Sequence, residues 1–214
     1  GVTQLFPKGH IINLHPWEHN DVAPALAAAF STDVPIVALH LTRPAIEVPD
    51  RQKMGIASHF DASKGAYLIR DYDERPRDGV VIVRGTSSTN TVVSILDDIS
   101  SKYNVKIVSA ISWELFDMQD SQYKSSIIGD QEWADSMVIT NTGLNVMKNW
   151  ISNRVVADYS LSPDWDDRWR TGGSLEQIIE EAHLSPRWVM RSIAKFATER
   201  SKRFERLRQE IPEK

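Results

Sequence analysis

Arg43 ends the apolar run Ile36-Val37-Ala38-Leu39-His40-Leu41 and stands directly before Pro44. A permanent cation there either meets solvent at a strand rim or waits for an anion. The second role suits the chemistry, because guanidinium forks fit phosphate with two prongs and ligands collect at the carboxyl ends of strands in α/β sheets. The turn "GTSSTN" at 85–90 follows an apolar run and opens a helical one, so amides around Gly85, Thr86, Ser87 and Ser88 could hold an anion. It carries one glycine and lacks the spacing of a phosphate loop, which makes helix capping by Ser87 or Ser88 the simpler reading. His10, His15, His19, His40 and His59 crowd the first 60 residues without any zinc spacing, and the chain has no cysteine to support them. Asp164, Asp166 and Asp167 lack the glycine and distal glutamate of a calcium loop and read as a solvated acidic loop. No metal site is expected.

Those residues need a scaffold, and the composition supplies a globular one. The chain has 214 residues, 41% hydrophobic and 25% charged, with 25 basic and 29 acidic side chains. A net charge of -4 argues against a general nucleic-acid binder. No apolar run approaches the roughly 18 residues of a membrane span. The absence of cysteine fits a cytoplasmic location. The basic tail (Lys195, Arg200, Lys202, Arg203, Arg206, Arg208) is interrupted by Glu199 and Glu205 and reads as a solvated helix face. The sequence opens on Gly1, which is expected of a processed start or of part of a longer protein.

Periodicity gives the order of elements. "HIINLH" (10–15) and "PIVALHL" (35–41) read as strands on either side of an Ala-rich helix at 18–30. Strands are predicted at 66–70, 80–85, 105–110 and 136–140, with a last short one, "NRVVADY", at 153–159. Helices are predicted at 89–103, around 119–126 and at 144–152, and the chain closes on helices from Ser174 and Ser185. Trp113, Phe116 and Tyr123 read as core and interface packing. Alternating strands and helices define an α/β class: a three-layer C-terminal domain (66–214) with a mostly parallel open sheet flanked by helices. Residues 1–47 supply a strand-helix-strand remnant of a second α/β domain, joined by a linker at 48–65.

Five stretches, in order, resemble one family, the transketolases. "PWEHNDVAPALAAAFSTDVPIVALHLTRPAI" resembles the last helix and strand of the pyrimidine-binding domain, and "ASKGAYLIRDY" the entry to the C-terminal domain. "VVIVRGTSSTNTVVSIL" is similar to a strand-turn-helix of that domain, although the family's glutamate is missing from the turn. "VKIVSAISWELFDMQDSQYKSSII" is the most specific match, and "EAHLSPRWVMRSI" resembles the start of the closing helix. The stretch "SPDWDDRWRTGGS" (162–174) is longer than its family counterpart and carries extra tryptophans.

The resemblance implies a C-terminal fragment or subunit of an enzyme that transfers a two-carbon ketol unit between sugar phosphates, using thiamine diphosphate and Mg2+. It puts Arg43 on the arginine that binds the substrate phosphate. The family's metal motif, activating glutamate and substrate histidines lie upstream, so the isolated chain is expected to be inactive, to hold no cofactor and to need the missing N-terminal part. A homodimer is expected, with sugar phosphates as ligands and neither nucleic acid nor membrane as partner. A deoxyxylulose-phosphate synthase or a 2-oxo acid dehydrogenase component shares the layout. The competing class is a non-catalytic α/β module that binds a regulatory nucleotide or anion at Gly85–Asn90.

Overall fold

The computed structural model describes residues 2–42, 45–168, 170 and 172–210. Among these residues, six strands form two sheets. β1 (Ile11–Leu14) and β2 (Ile36–Leu39) pair in parallel, while β3 (Ala66–Arg70), β4 (Gly79–Arg84), β5 (Val105–Ala110) and β6 (Ser136–Thr140) lie in the order β3-β5-β4-β6. β4 runs parallel to both β5 and β6; β3 is antiparallel to β5 at the edge. The α/β class with a mostly parallel sheet holds. Among the described residues, no helix is long and apolar enough to cross a membrane.

Helices cover both faces, in chain order: α1 (His19–Phe30), α2 (Arg51–Met54), α3 (Thr86–Ser94), α4 (Leu96–Lys102), α5 (Trp113–Asp117), α6 (Ser121–Ile127), α7 (Asp130–Ala134), α8 (Arg154–Tyr159), α9 (Leu175–Glu181), α10 (Pro186–Thr198) and α11 (Arg200–Glu210). Every residue of β4, β5 and β6 is buried, as a parallel strand covered on both faces requires. Alternation sorts their side chains. Val81, Val83, Ile107, Met137 and Ile139 pack with Val92, Ile99, Val155, Val189 and Phe196 on one side. Val80, Ile82, Val108 and Val138 pack with Phe116, Ile127, Met147 and Trp150 on the other. Trp113, Phe116, Trp133 and Trp150 form one ring cluster there, with centroids 5.2–6.5 Å apart.

Three sequence expectations are corrected. "NRVVADY" is the helix α8, not a strand: Asn153 caps it by accepting from Val156 N at 2.9 Å, and Val155, Val156 and Tyr159 bury one helical face. The parallel bridge to β6 comes later, from Leu161 to Ile139. The helix predicted over 89–103 begins at Thr86 and breaks at Ile95, where φ is -119°, into α3 and α4. Residues Leu144–Trp150 form a 3-10 helix rather than an α-helix.

The glycine of "KGAY" has a steric reason. Gly65 has φ +85°, and a Cβ there would sit 2.3 Å from Phe116 N. Its carbonyl accepts from both Ile111 N and Ser112 N, at 2.9 and 2.8 Å, and so locks the entry to β3 onto the start of α5.

The N-terminal ribbon is asymmetric. β1 is wholly buried, with Ile12, Leu14 and Trp17 in the same core as the large sheet, and His15 N donates to Ile111 O at 2.8 Å. β2 is half-exposed to exposed, and Phe30, Ile36 and Leu41 face solvent.

Candidate functional site

A cleft of about 400 Å³ opens beyond the carboxyl ends of β1 and β2, bordered by Trp17, Glu18, His19, Leu41, Thr42, Ala45 and Thr86, among others. Arg43 and Pro44 lie outside the described residues; Thr42 and Ala45, on either side of them, line the cleft. Thr86 brings the first turn of α3 to it, and its hydroxyl donates to Pro16 O at 3.0 Å. Leu41, Thr42, Ala45 and Ile46 and the Thr86 end of the "GTSSTN" turn therefore border one concavity.

The wall of that cleft is held by a buried ionic knot. Glu18 caps α1 by accepting from Asn20 N at 2.7 Å, and the next turn of the helix places Asp21 beneath it. Arg51, at the start of α2, gives Nη2 to Glu18 Oε1 and Asp21 Oδ1, both at 2.6 Å, and also reaches the Tyr67 hydroxyl at 3.2 Å. Tyr67 donates to Asp21 Oδ2 at 2.8 Å, and Trp17 N does so at 3.0 Å. The guanidinium carbon lies 5.0 Å from the ring centres of both Trp17 and Tyr67. Burial pushes the Asp21 carboxyl up, while Arg51 and Tyr67 pull it back; burial opposes the Arg51 charge, but Tyr67, Asp21 and Glu18 outweigh it and hold the guanidinium charged. This knot joins the turn after β1 to β3 and fixes two cleft residues, Trp17 and Glu18.

Gly85 is the N-cap of α3, with φ +93°, and a Cβ would come within 2.1 Å of Asn141 Oδ1. The capping expected of Ser87 or Ser88 is not found, since no side chain caps α3. Ser87 Oγ accepts from Asn141 Nδ2 at 3.0 Å, and the Ser88 hydroxyl is buried without a partner.

Of the five early histidines, two come together. His15 and His40 stack with centroids 4.2 Å apart and planes 4° from parallel. Burial first, then the nearby Arg84 charge, lowers His15 from 6.5 to about 2. His19 borders the cleft, His59 packs on Phe60, and His10 is exposed. Among the described residues no group of three or more His, Asp or Glu side chains converges as a metal set. In the acidic loop, Asp164 accepts from Leu144 N at 3.1 Å, and Asp166 takes Arg168 at 2.7 Å.

Two residues of consequence escaped the sequence reading. Arg84, at the end of β4, is only 5% exposed. Glu114, inside "WELFD", accepts from Asn13 N and Asn13 Nδ2, both at 3.2 Å, and so ties β1 to α5. Arg84 had a legible signal: "VVIVR" ends an apolar strand on arginine, as "VALHLTR" nearly does.

The fold defines an α/β protein with a cleft at the carboxyl ends of β1 and β2. Its relatives narrow the class. Residues 65–157 match the transketolase-like C-terminal domain family model. A chloroplastic transketolase of Craterostigma plantagineum is 30% identical over 124 residues, covering 56% of this chain and 22% of that protein. The structure matches a transketolase from Leishmania mexicana with a TM-score of 0.71 at 16% identity, over 92% of this chain and 26% of that one. A split-gene transketolase solved as an inactive beta4 tetramer matches with a TM-score of 0.55 at 10% identity, over 92% of this chain and 60% of that one. The chain thus spans about a quarter of the length of the Craterostigma and Leishmania transketolases, and it resembles their C-terminal portion, with residues 65–157 matching the family's C-terminal domain.

Proposed function

We propose that this chain is the C-terminal portion of a transketolase-like transferase that moves a two-carbon ketol unit between sugar phosphates, and that Arg43 holds the substrate's phosphate. The observation that carries the reading is the cleft at the carboxyl ends of β1 and β2, bordered by the residues on both sides of Arg43. A guanidinium at such a mouth makes charge-assisted, two-pronged contacts to phosphate.

The residues present do not fit thiamine diphosphate and its cation. The carboxylate of the cleft, Glu18, has its oxygens committed to Arg51 and to Asn20 N. Cofactor chemistry is therefore assigned to a missing N-terminal part, in a homodimeric assembly. The half-exposed β2 is where that part would continue the ribbon, because a two-stranded parallel sheet leaves an open edge. The inactive tetramer of the split-gene relative is in keeping with a portion that needs its complement.

The test measures ketol transfer by the chain alone and after joining it to the upstream half of a transketolase. Activity is expected only in the joined protein; turnover or micromolar thiamine diphosphate binding by the chain alone overturns the reading. In the joined protein, Arg43→Ala should lower kcat/KM for phosphorylated acceptors about tenfold or more, the equivalent of a charge-assisted bond worth roughly 1.5–3 kcal/mol. Arg43→Lys should recover part of the loss. Equal losses for unphosphorylated acceptors would make Arg43 a rim residue.

A further inference from the structure

Four Lys or Arg side chains are buried among the described residues: Arg51, Arg84, Lys106 and Arg203. Three of them pair with carboxylates: Arg51 with Glu18 and Asp21, Lys106 with Glu132, and Arg203 with Asp135. Among the described residues, Arg84 has no carboxylate within ion-pair distance. Its Nη atoms donate to neutral acceptors, Val146 O at 3.3 Å and Thr142 Oγ1 at 3.0 Å, and its Nε is buried without a partner. A cation taken out of water this way lacks the compensating charge that the other three have.

Beside Arg84 lies a small, partly open cavity of about 30 Å³, lined also by Gln4, Asn13, His15, Ser112 and Glu114. It sits at the carboxyl ends of β1, β4 and β5. There the chain leaves β4 for α3 on one face of the sheet and leaves β5 for α5 on the other. Such a topological switch point is where open α/β sheets take ligands. The volume exceeds the minimum for one water, and it is too small for a phosphate.

The carboxylate on the cavity does not neutralise Arg84 by contact. Glu114 Oε2 accepts from Asn13 N and Ser112 Oγ, at 3.2 and 3.1 Å, and Oε1 from Asn13 Nδ2 at 3.2 Å. His15 is neutral at ordinary pH and offers a ring N–H without adding charge. Lys148 also borders the cavity, from the exposed side, and leaves the lining with one net positive charge.

We propose that this cavity binds one halide-sized monovalent anion, held by Arg84 and the surrounding N–H donors. The site is separate from the cleft lined by Thr42 and Ala45 and does not depend on the transketolase reading.

The experiment follows thermal unfolding of the 214-residue chain at pH 7 and constant ionic strength, with sodium chloride or bromide replacing sodium gluconate. A saturable rise in Tm is expected with either halide, together with chloride-35 line broadening that bromide reverses. Arg84→Met should abolish both. Glu114→Gln removes a nearby negative charge and should tighten the apparent chloride Kd by about threefold or more. Should Arg84→Met fail to fold, that tightening remains decisive, because a water-filled cavity would not produce it. A linear salt response with no broadening means the cavity holds water only, and overturns the proposal. An equal saturable response to phosphate overturns the size assignment.

Discussion

Arg51 and Arg84 are both guanidiniums withdrawn from water, 8% and 5% exposed, and both stand where the N-terminal ribbon meets the larger sheet. Their surroundings differ in kind. Arg51 meets two carboxylates at 2.6 Å, a tyrosine hydroxyl and two aromatic faces. Arg84 meets a backbone carbonyl, a threonine hydroxyl and a cavity. Charge complementarity supplied by the chain itself makes a clamp, while complementarity left open makes a place for something from solution. The clamp also explains why the ribbon does not stand apart. Its acids come from the turn after β1 and from α1, its base from α2 and its hydroxyl from β3, so the strand-helix-strand segment is bound to the larger sheet through charge.

Breaking the clamp should have the largest effect. Arg51→Ala leaves Glu18 and Asp21 buried with no counter-charge and should cost about 3–5 kcal/mol, the usual result of removing one partner of a buried pair. Urea denaturation would measure it, and hydrogen exchange should show β1 losing protection along with β2. Adding Glu18→Gln and Asp21→Asn should restore part of the loss, because no unpaired charge then remains. A cost below about 1 kcal/mol would mean that the knot is solvated in solution and that the ribbon is held by apolar packing alone.

The next effect is on pH dependence and belongs to the Arg84 side. The folded protein keeps His15 neutral down to about pH 2, whereas the unfolded chain protonates it near 6.5. Below 6.5 the unfolded state therefore binds the extra proton, and stability should fall with pH by up to about 1.4 kcal/mol per pH unit from this group. The contribution is complete above 6.5 and is lost progressively toward the folded value. His40, also lowered by burial, acts in the same direction. Denaturation midpoints between pH 7 and 4.5 should show this slope, and His15→Gln should flatten it. An unchanged slope in that variant would place the acid sensitivity elsewhere.

Much of this architecture was legible in the residues because it follows from repeating patterns. Continuous apolar runs marked β4, β5 and β6, and the "KGAY" and "WELFD" stretches marked a junction whose glycine and aromatic rings are sterically constrained. Patterns failed where two periods coincide. Val155 and Val156 side by side suit a strand by type, yet Asn153 and Tyr159 complete a helical cap and face. The site was less legible than the fold. Arg43 announced itself by its place before a proline, but Arg51 reads as one more charge in a polar linker, and only three-dimensional contact joins it to Glu18, 33 residues earlier. Glu114 was hidden for the same reason, since its partner Asn13 lies 101 residues away.

The smallest effect, and the sharpest separation of the two arginines, is the response to losing the charge while keeping the bulk. Methionine roughly preserves the apolar volume of an arginine stem and carries no charge. Arg51→Met should remain strongly destabilising, because its acids stay behind. Arg84→Met in chloride-free gluconate leaves no buried carboxylate unpaired by contact: Glu114 keeps its three donors. What is lost is two hydrogen bonds from a charged donor to neutral acceptors, at about 1.5–3 kcal/mol each. What is gained is release from burying a cation with an empty Nε. The two nearly cancel, so the change should lie within about 1 kcal/mol of zero in either direction. Adding chloride should then stabilise the parent chain over the variant. A loss as large as that of Arg51→Met, in the same buffer, would mean that Arg84 is structurally paired in solution, and the contrast between the two regions would collapse.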